Sequence, residues 1–288
     1  MENKRIVVTG GNGFVGKKLV SYLIKQGYQV KSLNRVNGFD LTETVDPNSV
    51  EDFDCLVHLA ALSFVPDSYK DPSNFYRTNF LTTLNALDLC RKKNAKIIYF
   101  SSYVYGIPQY LPLNEAHPLS AYNPYAQTKI LCETLCEGYN RDFNLPVIIL
   151  RPFNIFGNGQ NDKFLISSIL SQLKDGKSQI ELKDPSPMRD YIHITDVIRA
   201  IDHAIASSIQ YGTFNVCSNT SFSVEEITQI INRNLTHSVK FHFDLTGVRP
   251  SEVSNTLGSY DKIKEELGWE PKLSFEEGIK MDIEELNL

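Results

Sequence analysis

The sequence lacks the features of membrane-spanning, secreted and disulfide-stapled proteins. No apolar run reaches the roughly 18 residues of a spanning helix, and the apolar stretch near the N-terminus, residues 6–8, is too short for the core of a signal peptide. The five cysteines are scattered without a C-x-x-C pair, which predicts neither a disulfide framework nor a zinc site. The sequence therefore predicts a cytoplasmic protein with reduced thiols.

An excess of positive charge is missing as well. The chain has 29 Lys and Arg residues against 34 Asp and Glu residues, a net charge of -5. We therefore expect neither a nucleic acid nor an anionic membrane as a partner. A hydrophobic fraction of 42% and a charged fraction of 22% are ordinary for a globular protein. The 288 residues suffice for one large domain or two smaller ones.

Short apolar runs alternate with helical patterns through the first half of the chain. The apolar runs lie at residues 6–8, 29–33, 55–58, 96–100 and 147–150, and the helical patterns at 14–25, 74–92 and 125–139. Buried runs separated by helices are typical of parallel strands with crossover helices. The pattern predicts an α/β fold with a doubly wound parallel sheet of the Rossmann type.

The second half has a looser pattern, which predicts a smaller C-terminal lobe. Helical patterns at about 162–174, 196–207, 223–234 and 274–284 alternate with short strands and turn-rich stretches. We expect this lobe to close over the crevice at the carboxyl ends of the strands, where doubly wound folds bind ligands. The predicted dinucleotide-binding domain covers residues 1–155 and is rejoined by about 190–217. Residues 156–189 and 218–288 form the predicted substrate-binding lobe.

The motif T-G-G-N-G-F-V-G at residues 9–16 follows the first predicted strand and opens the first predicted helix. Gly10 allows a tight turn, Gly13 lets the backbone approach a pyrophosphate, and Gly16 lets the helix pack closely. The phosphates then meet the N–H groups and the positive dipole end of the helix. A turn that merely needs a positive φ is the alternative, but the flanking strand and helix favour dinucleotide binding.

The end of the second predicted strand bears on the choice of cofactor. Sites for NAD usually have an acidic residue there, about 20 positions after the glycines, which bonds the ribose diol. This chain has Asn34 and Arg35 instead, and a guanidinium can pair with the 2′-phosphate of NADP. The alternative is that Arg35 is a solvated charge and Asn34 serves the diol of NAD. We therefore predict NADP in preference to NAD.

A second motif, Y-A-Q-T-K at residues 125–129, lies at the start of a helical pattern. Tyr125 and Lys129 share a helix face because they are four residues apart. A tyrosine hydroxyl with a pKa near 10 is a poor base, and a nearby ammonium group lowers that pKa by favouring the phenolate. Alone, the pair would also fit an exposed helix surface. However, Ser101 and Ser102 follow a buried predicted strand, where a hydroxyl can face the crevice.

Together with the glycine motif, this order of residues resembles the short-chain dehydrogenase/reductase superfamily. Longer motifs narrow the resemblance to its extended branch, the nucleotide-sugar epimerases, dehydratases and reductases, and cover nearly the whole chain. They are H-L-A-A at 58–61, R-P-F-N-I-F-G at 151–157, R-D-Y-I-H-I-T-D at 189–196 and R-P-S-E-V at 249–253. The resemblance implies that Tyr125 is the acid/base and Lys129 its electrostatic partner. It implies that Ser101 orients the substrate oxygen, with Ser102 as the second candidate.

The same resemblance implies further contacts. On the cofactor they are Gly10, Gly13, Phe14, Val15, Gly16, Asn34, Arg35, Asp40, Leu41, Ala60, Ala61, Tyr125, Lys129 and Pro152. On the substrate they are Ser63, Ser102, Tyr103, Asn154, Arg189 and Arg249. The two arginines would clamp a diphosphate, which suits forked guanidinium donors. A structural pair with Asp190 or Asp196 is the alternative for Arg189, and plain packing is the alternative for Tyr103.

The residues after the catalytic serine separate the reactions of this branch. Dehydratases have an acidic pair there, whereas this chain has Ser102 and Tyr103, so we exclude dehydration. Two reactions remain: 4-epimerisation with tightly held NAD, and NAD(P)H-dependent reduction of a nucleotide-linked 4-keto-6-deoxyhexose in deoxysugar biosynthesis. We favour reduction because Asn34 and Arg35 replace the usual carboxylate, because the chain is short for an epimerase, and because residues 151–160 resemble those of reductases.

Other classes of function are weighed against the same residues. A dinucleotide sensor without activity would not need the set of Ser101, Tyr125 and Lys129, and a reductase of a non-nucleotide carbonyl would not need Arg189 and Arg249.

The histidine spacing predicts no metal site. Relatives of this branch typically pair their helices near residues 74–92 and 125–143 across a twofold axis. The resemblance therefore implies a homodimer.

Overall fold

The computed structural model describes residues 4–244 and 253–288. The strands are β1 Arg5–Thr9, β2 Gln29–Leu33, β3 Cys55–His58, β4 Lys96–Phe100, β5 Val147–Pro152, β6 Asn154–Phe156, β7 Gln179–Leu182, β8 Met188–His193, β9 Tyr211–Val216, β10 Ser221–Phe222, β11 Lys240–Phe243 and β12 Asn255–Thr256. The α-helices are α1 Phe14–Lys25, α2 Val65–Lys70, α3 Pro72–Lys93, α4 Pro124–Phe143, α5 Leu165–Lys174, α6 Ile194–Ala206, α7 Val224–Asn234, α8 Asp261–Leu267 and α9 Phe275–Leu286.

The main sheet has six parallel strands in the order β2-β1-β3-β4-β5-β9. The chain runs outward from β1 to β2 and then returns past β1 to β3, so the strand order reverses at this point. Such a switch point opens a crevice at the carboxyl ends of the strands. The predicted doubly wound parallel sheet is therefore confirmed, and its crevice lies beside the glycine motif.

Helices cover both faces of the sheet, which is why β3 and β5 are buried along their whole length. On one face, α1 and α6 pack apolar residues such as Leu23 and Ile201 against the strands. On the other face, α3 and α4 contribute Leu87, Cys132 and Cys136, all with no exposed surface. All five cysteines are buried and unpaired.

The remaining strands, with α5, α7 and α9, form a second layer of structure over the carboxyl ends of the sheet, while α8 packs with α1 and α6 against the main sheet. β7 pairs with β11, and β8 pairs with β6, β10 and β12. A separate apolar core, which includes Phe156, Ile169, Ile231 and Ile279, holds α5, α7 and α9 together. Between these parts the chain returns to the main sheet as β9, which pairs with β5. The predicted domain boundaries stay a prediction.

The predicted helices agree with the structure to within a few residues at most ends. The exceptions are α2 and α8, which have 6 and 7 residues and are too short for a periodic pattern to indicate. Among the described residues, no helix has the length and apolar character needed to cross a membrane.

Candidate active site

A cavity of about 1050 Å³ opens at the carboxyl ends of the central strands, between the glycine motif and the second layer of structure. It brings together predicted residues that are far apart in the sequence: Gly10, Gly13, Phe14, Val15, Gly16, Ala61, Ser63, Ser101, Ser102, Tyr103, Tyr125, Lys129, Pro152, Asn154 and Arg189. Five predicted cofactor residues lie outside its lining: Asn34, Arg35, Asp40, Leu41 and Ala60. The predicted clamp residue Arg249 falls outside the described residues.

The glycine motif forms a close turn between β1 and α1. Gly10 has a φ of +69° and lies so near β3 that a Cβ atom there would be 2.8 Å from the amide nitrogen of Ala60. A Cβ atom at Gly16 would overlap the carbonyl oxygen of Gly10, so glycine is what lets α1 begin this close to the strand. Gly13 is the N-cap of α1 and supplies no side-chain hydrogen bond. The first amides of α1 are therefore left to bind an anion, and the motif fits a dinucleotide pyrophosphate.

The end of β2 is shaped by local hydrogen bonds. Asn34 Oδ1 accepts from the backbone of Asn37 at 3.0 Å, and Asp40 Oδ1 accepts from Thr42. The pKa of Asp40 is lowered by the bonds from Thr42 and, to a smaller degree, by the charge of Arg35. The Arg35 side chain is exposed. The Arg35 guanidinium can therefore bind a 2′-phosphate of a cofactor, whereas Asn34 Oδ1 already accepts a hydrogen bond from Asn37.

Helix α4 places Tyr125 and Lys129 on the cavity wall. Asn123 caps the helix by accepting from the amide of Ala126 at 2.7 Å, which sets Tyr125 in the first turn. Lys129 follows one turn later, and its Nζ donates to the carbonyl oxygen of Phe100 at 2.7 Å. The same Nζ lies 5.9 Å from the centre of the Tyr125 ring. The two side chains share one helix face, as the spacing predicted.

The pKa values of this pair differ from the prediction. Loss of hydration raises the pKa of Tyr125 to about 12, although a hydrogen bond from Ser102 partly opposes the shift. Burial lowers the pKa of Lys129 to about 8. The prediction that Lys129 brings the Tyr125 pKa below its usual value is wrong, because desolvation is the largest cause of the shift and it raises the pKa. At neutral pH Tyr125 therefore keeps its proton and is suited to act as an acid.

Two serines, Ser101 and Ser102, follow the end of β4, and both contribute to the lining of the cavity. Ser102 and Tyr125 line the same cavity, and the Ser102 side chain acts to lower the pKa of Tyr125. The hydroxyl of Ser101 is buried and donates its proton to Glu133 Oε1, on the next turn of α4 after Lys129. The predicted order of the two serines stays a prediction, and the bond of Ser101 to Glu133 leaves Ser102 as the hydroxyl without that partner.

Glu133 is a buried residue that the sequence prediction missed. Its carboxylate forms an ion pair with Arg151 at 2.6 Å, and both side chains are 7% exposed. Arg151 also donates to the hydroxyl of Tyr105 at 3.1 Å. The signal was available, because Glu133 follows Lys129 by four residues and Arg151 opens the R-P-F-N-I-F-G motif.

The cavity is also lined by Tyr103, Asn154 and Arg189. Tyr103 stacks on the ring of Phe153 at 5.1 Å and also donates to Asn154 Oδ1 at 3.0 Å. Tyr103 thus both packs and holds a polar side chain of the cavity. Arg189 Nη1 donates to the carbonyl oxygens of Met188 and Val253. These bonds fix one edge of the guanidinium group at the cavity.

The carboxylates named as alternative partners of Arg189 have structural contacts elsewhere. Asp190 is buried and accepts from the amides of Ser218 and Gly258. Asp196 forms an ion pair with Arg199. Both carboxylates therefore have a role in the fold that does not depend on Arg189.

His58 lies at the end of β3, beneath the cavity. Its ring nitrogens contact the hydroxyls of Thr9 and Thr83 at 2.8 and 3.2 Å. Burial lowers the pKa of His58 to about 3, so the ring is neutral at physiological pH. The ring thus joins β1, β3 and α3 and fixes the end of β3.

Comparison with known proteins gives the family. Residues 6–217 match the NAD dependent epimerase/dehydratase family. GDP-6-deoxy-D-mannose reductase of Pseudomonas aeruginosa is 29% identical, over 96% of this chain and 95% of that protein. GDP-6-deoxy-D-talose 4-dehydrogenase of Aggregatibacter actinomycetemcomitans is 32% identical, over 92% and 91% of the two chains. A putative UDP-glucose 4-epimerase of Methanocaldococcus jannaschii is 31% identical, over 96% of each.

The fold comparison agrees. The solved structure of RMD from Pseudomonas aeruginosa complexed with NADPH superposes with a TM-score of 0.88 at 28% identity, over 98% of each chain. The glycine turn, the Tyr125 and Lys129 pair and the position of the cavity fit what such enzymes require. The chain therefore belongs to the NAD dependent epimerase/dehydratase family, the extended branch of the short-chain dehydrogenases/reductases, and is an NAD(P)-dependent oxidoreductase.

Proposed function

We propose that this enzyme reduces a nucleotide-activated 4-keto-6-deoxyhexose to the 4-hydroxy sugar, a step of deoxysugar biosynthesis. One observation carries the proposal: Tyr125, with Lys129 beside it, lines a cavity that begins at the glycine turn and also contains Ser102. Burial raises the pKa of Tyr125 to about 12, which keeps its proton available at neutral pH. Two relatives, both named for GDP-6-deoxyhexoses, support this choice of substrate class. Ser102 and Tyr103 are not acidic, so the cavity offers no acidic pair at these positions for elimination.

Each residue of the cavity has a separate role in the proposed reduction. When bound, the reduced nicotinamide supplies the hydride that goes to C4 of the sugar. Tyr125 donates its proton to the oxygen of the 4-keto group, and the Ser102 hydroxyl holds that oxygen. The Lys129 ammonium stabilises the phenolate that remains on Tyr125 until a proton returns. Arg189, together with Arg249, would bind the diphosphate of the substrate.

The test is direct. Purified protein is mixed with NADPH and a GDP-linked 4-keto-6-deoxyhexose, and the absorbance of the reduced cofactor is followed. We expect its steady loss, with one 4-hydroxy sugar formed per NADPH oxidised. An absence of oxidation, with either NADPH or NADH and with GDP-, UDP- and dTDP-linked substrates, would contradict the proposal.

A 4-epimerase is the second candidate, favoured by the Methanocaldococcus jannaschii relative. The same Tyr125, Ser102 and Lys129 would serve it, because epimerisation also passes through a 4-keto sugar. An epimerase would interconvert UDP-glucose and UDP-galactose without net consumption of cofactor. Chromatography of that reaction, with no reduced cofactor added, separates the two candidates.

Cofactor preference can be tested at Arg35. We propose NADP as the preferred cofactor, because the Arg35 side chain is exposed beside the end of β2. The nearby Asp40 carboxylate accepts its hydrogen bonds from Thr42 and not from Arg35. Arg35→Ala should weaken NADPH binding about tenfold while NADH binding changes little, as expected for the loss of one charge-assisted contact. Titration calorimetry with both cofactors measures this. Equal losses for both would show that Arg35 does not pair with the 2′-phosphate.

The pH profile should be set by Lys129. Its pKa of about 8 means that the ammonium is lost as the pH rises through 8, while Tyr125, with a pKa of about 12, stays protonated. At limiting NADPH, kcat/KM reports groups of the free enzyme. We therefore expect kcat/KM to fall above about pH 8. Lys129→Arg, which stays charged, should move this fall to higher pH, and an unchanged profile would assign the fall to another group.

We also propose a homodimer formed through α3 and α4, which pack side by side on one face of the sheet. Tyr76 of α3 and Leu131 of α4 are 37% and 39% exposed, which suits an apolar contact with a second copy. Light scattering at micromolar concentration should give twice the 32.7 kDa of the chain. Leu131→Arg should shift the mass toward one chain, and a monomer mass for the unaltered protein would refute the dimer.

The cellular location is part of the same proposal. All five cysteines are buried and unpaired, a state that the reducing cytoplasm maintains. We place the enzyme there. Fractionation of cells that express the tagged protein should recover it with a cytoplasmic marker, and recovery from an extracellular fraction would contradict the assignment.

A further inference from the structure

We propose that Glu133 is a positioning residue of this active site, which holds the Ser101–Ser102 turn so that the Ser102 hydroxyl meets Tyr125. The inference rests on the proposed function, in which Ser102 and Tyr125 share the substrate oxygen. Glu133 itself faces the packed layer of α4 rather than the cavity and is 6% exposed. It therefore acts through another residue.

Glu133 is connected to the Ser101–Ser102 turn through one hydrogen bond. Ser101 Oγ donates to Glu133 Oε1, while Ser101 N donates to the carbonyl oxygen of Leu150 at 2.8 Å. Ser101 is thus fixed by its backbone to β5 and by its side chain to α4. The next residue, Ser102, lines the cavity together with Tyr125. A shift at Ser101 must move Ser102, because the two residues share a peptide bond.

Three residues on one face of α4 fix that helix to the end of β4. Tyr125, Lys129 and Glu133 are each four residues apart. Lys129 bonds the carbonyl oxygen of Phe100, and Glu133 bonds the side chain of Ser101. Tyr125 lines the cavity together with Ser102. Two turns of α4 are therefore bonded to residues 100 and 101, which limits how far the strand end can move relative to the proton donor.

Arg151 sets the position of Glu133 in turn. Its Nε and Nη2 both donate to the carboxylate, at 3.0 and 2.6 Å, and its Nη1 donates to Tyr105. The Tyr105 hydroxyl then donates to Asn215 Oδ1 on β9. The carboxylate is thereby held by β5, and through Tyr105 by β9, independently of the substrate. A removed Glu133 would leave the Arg151 charge buried and unpaired, which is costly to the fold.

The experiment separates positioning from stability by neutralising Arg151 first. Two double variants are compared, Arg151→Met with Glu133→Gln and Arg151→Met with Glu133→Leu. Both lack the ion pair, but only Gln keeps an oxygen that can accept from Ser101. We expect kcat to be about tenfold lower in the Leu variant than in the Gln variant, because small displacements of reacting groups are expensive in rate. The KM and Kd for NADPH should be equal in the two.

A second comparison tests the route through Ser102. In a Ser102→Ala background the difference between the Gln and Leu variants should vanish, because the group that they position is gone. If the Leu variant only contained less folded enzyme, its loss of kcat would persist in the Ser102→Ala background, and the two losses would multiply. Equal kcat in the Gln and Leu variants, or a tenfold difference that survives Ser102→Ala, would overturn the proposal.

Ser101→Ala decides the matter if the Leu variant fails to fold, because it breaks the same link and keeps the ion pair. Ser101→Ala should lower kcat about tenfold in the otherwise unaltered enzyme and should cause no further loss in the Ser102→Ala background. Unchanged kcat, or the same tenfold loss in the Ser102→Ala background, would overturn the proposal. The control is Asp196→Asn with Arg199→Met, a partly buried ion pair elsewhere in the chain, which should leave kcat unchanged. Failure of the unaltered enzyme to reduce the substrate would count against the proposed function instead.

Discussion

Tyr125→Phe is expected to lower turnover of the 4-keto substrate by about 10²–10⁴-fold, the usual contribution of a positioned proton donor. The ring remains, so the cavity keeps its shape, but the proton for the substrate oxygen is lost. Binding of NADPH and of the sugar nucleotide should change little, since the missing interaction matters most in the transition state. Steady-state kinetics and calorimetry on the same preparation measure both quantities.

The matched control is Tyr139→Phe, which removes a partly buried hydroxyl from the same helix, more than three turns away from Tyr125. Its turnover should equal that of the unaltered enzyme. If Tyr125→Phe keeps near-full turnover, another group donates the proton. Tyr103 would then be examined first, because its hydroxyl lies at the cavity and bonds Asn154. Burial raises the pKa of Tyr103, so that it too is protonated.

Gly13→Val is expected to weaken cofactor binding at least about 100-fold, a loss of about 2.8 kcal/mol. A branched side chain at the N-cap of α1 would occupy the space in front of the first helical amides, where a pyrophosphate must approach. The fold should survive, because a Cβ atom at Gly13 would lie 3.2 Å from the carbonyl oxygen of Gly10 and this neighbour needs to move only slightly. Calorimetry with NADPH, together with a thermal melt, separates binding from stability.

Substitutions at two other glycines serve as controls for Gly13→Val. Gly138→Ala on α4 meets nothing within 4 Å, so it should leave cofactor binding unchanged. Gly16→Val should damage the fold itself, since even its Cβ atom would overlap the turn. Unchanged affinity in Gly13→Val would contradict the assignment of this turn to the pyrophosphate.

The sheet and its helices could be predicted because their signals are local. Apolar runs mark β1, β3, β4 and β5, and periodic patterns mark the helices between them. The glycine turn could be predicted because only glycine fits its positive φ and close contacts. The short helix α2 and the pairing of β6 with β8 depend on contacts between distant residues. No local pattern indicates them.

Within the site, the identity of the residues was easier to predict than their electrostatics and orientation. Sequence spacing correctly placed Tyr125 and Lys129 on one helix face. The Tyr125 pKa could not be obtained from that spacing, because it depends mainly on how much water the fold excludes. Likewise, whether Ser101 or Ser102 meets Tyr125 depends on the direction in which β4 ends. Only the position of Glu133 shows that the Ser101 hydroxyl is already engaged.

The return of the chain to the main sheet as β9 constrains how this enzyme can be re-engineered. Because β9 pairs with β5 after the chain has already left through β6, β7 and β8, the part above the cavity is made of two separate segments. An exchange of substrate specificity with a relative must therefore graft both segments at once. The Asp190 carboxylate, which binds the amides of Ser218 and Gly258, joins the first graft to the second. A chimera that takes Asp190 from one parent and those backbone amides from another should assemble only if both parents place them alike.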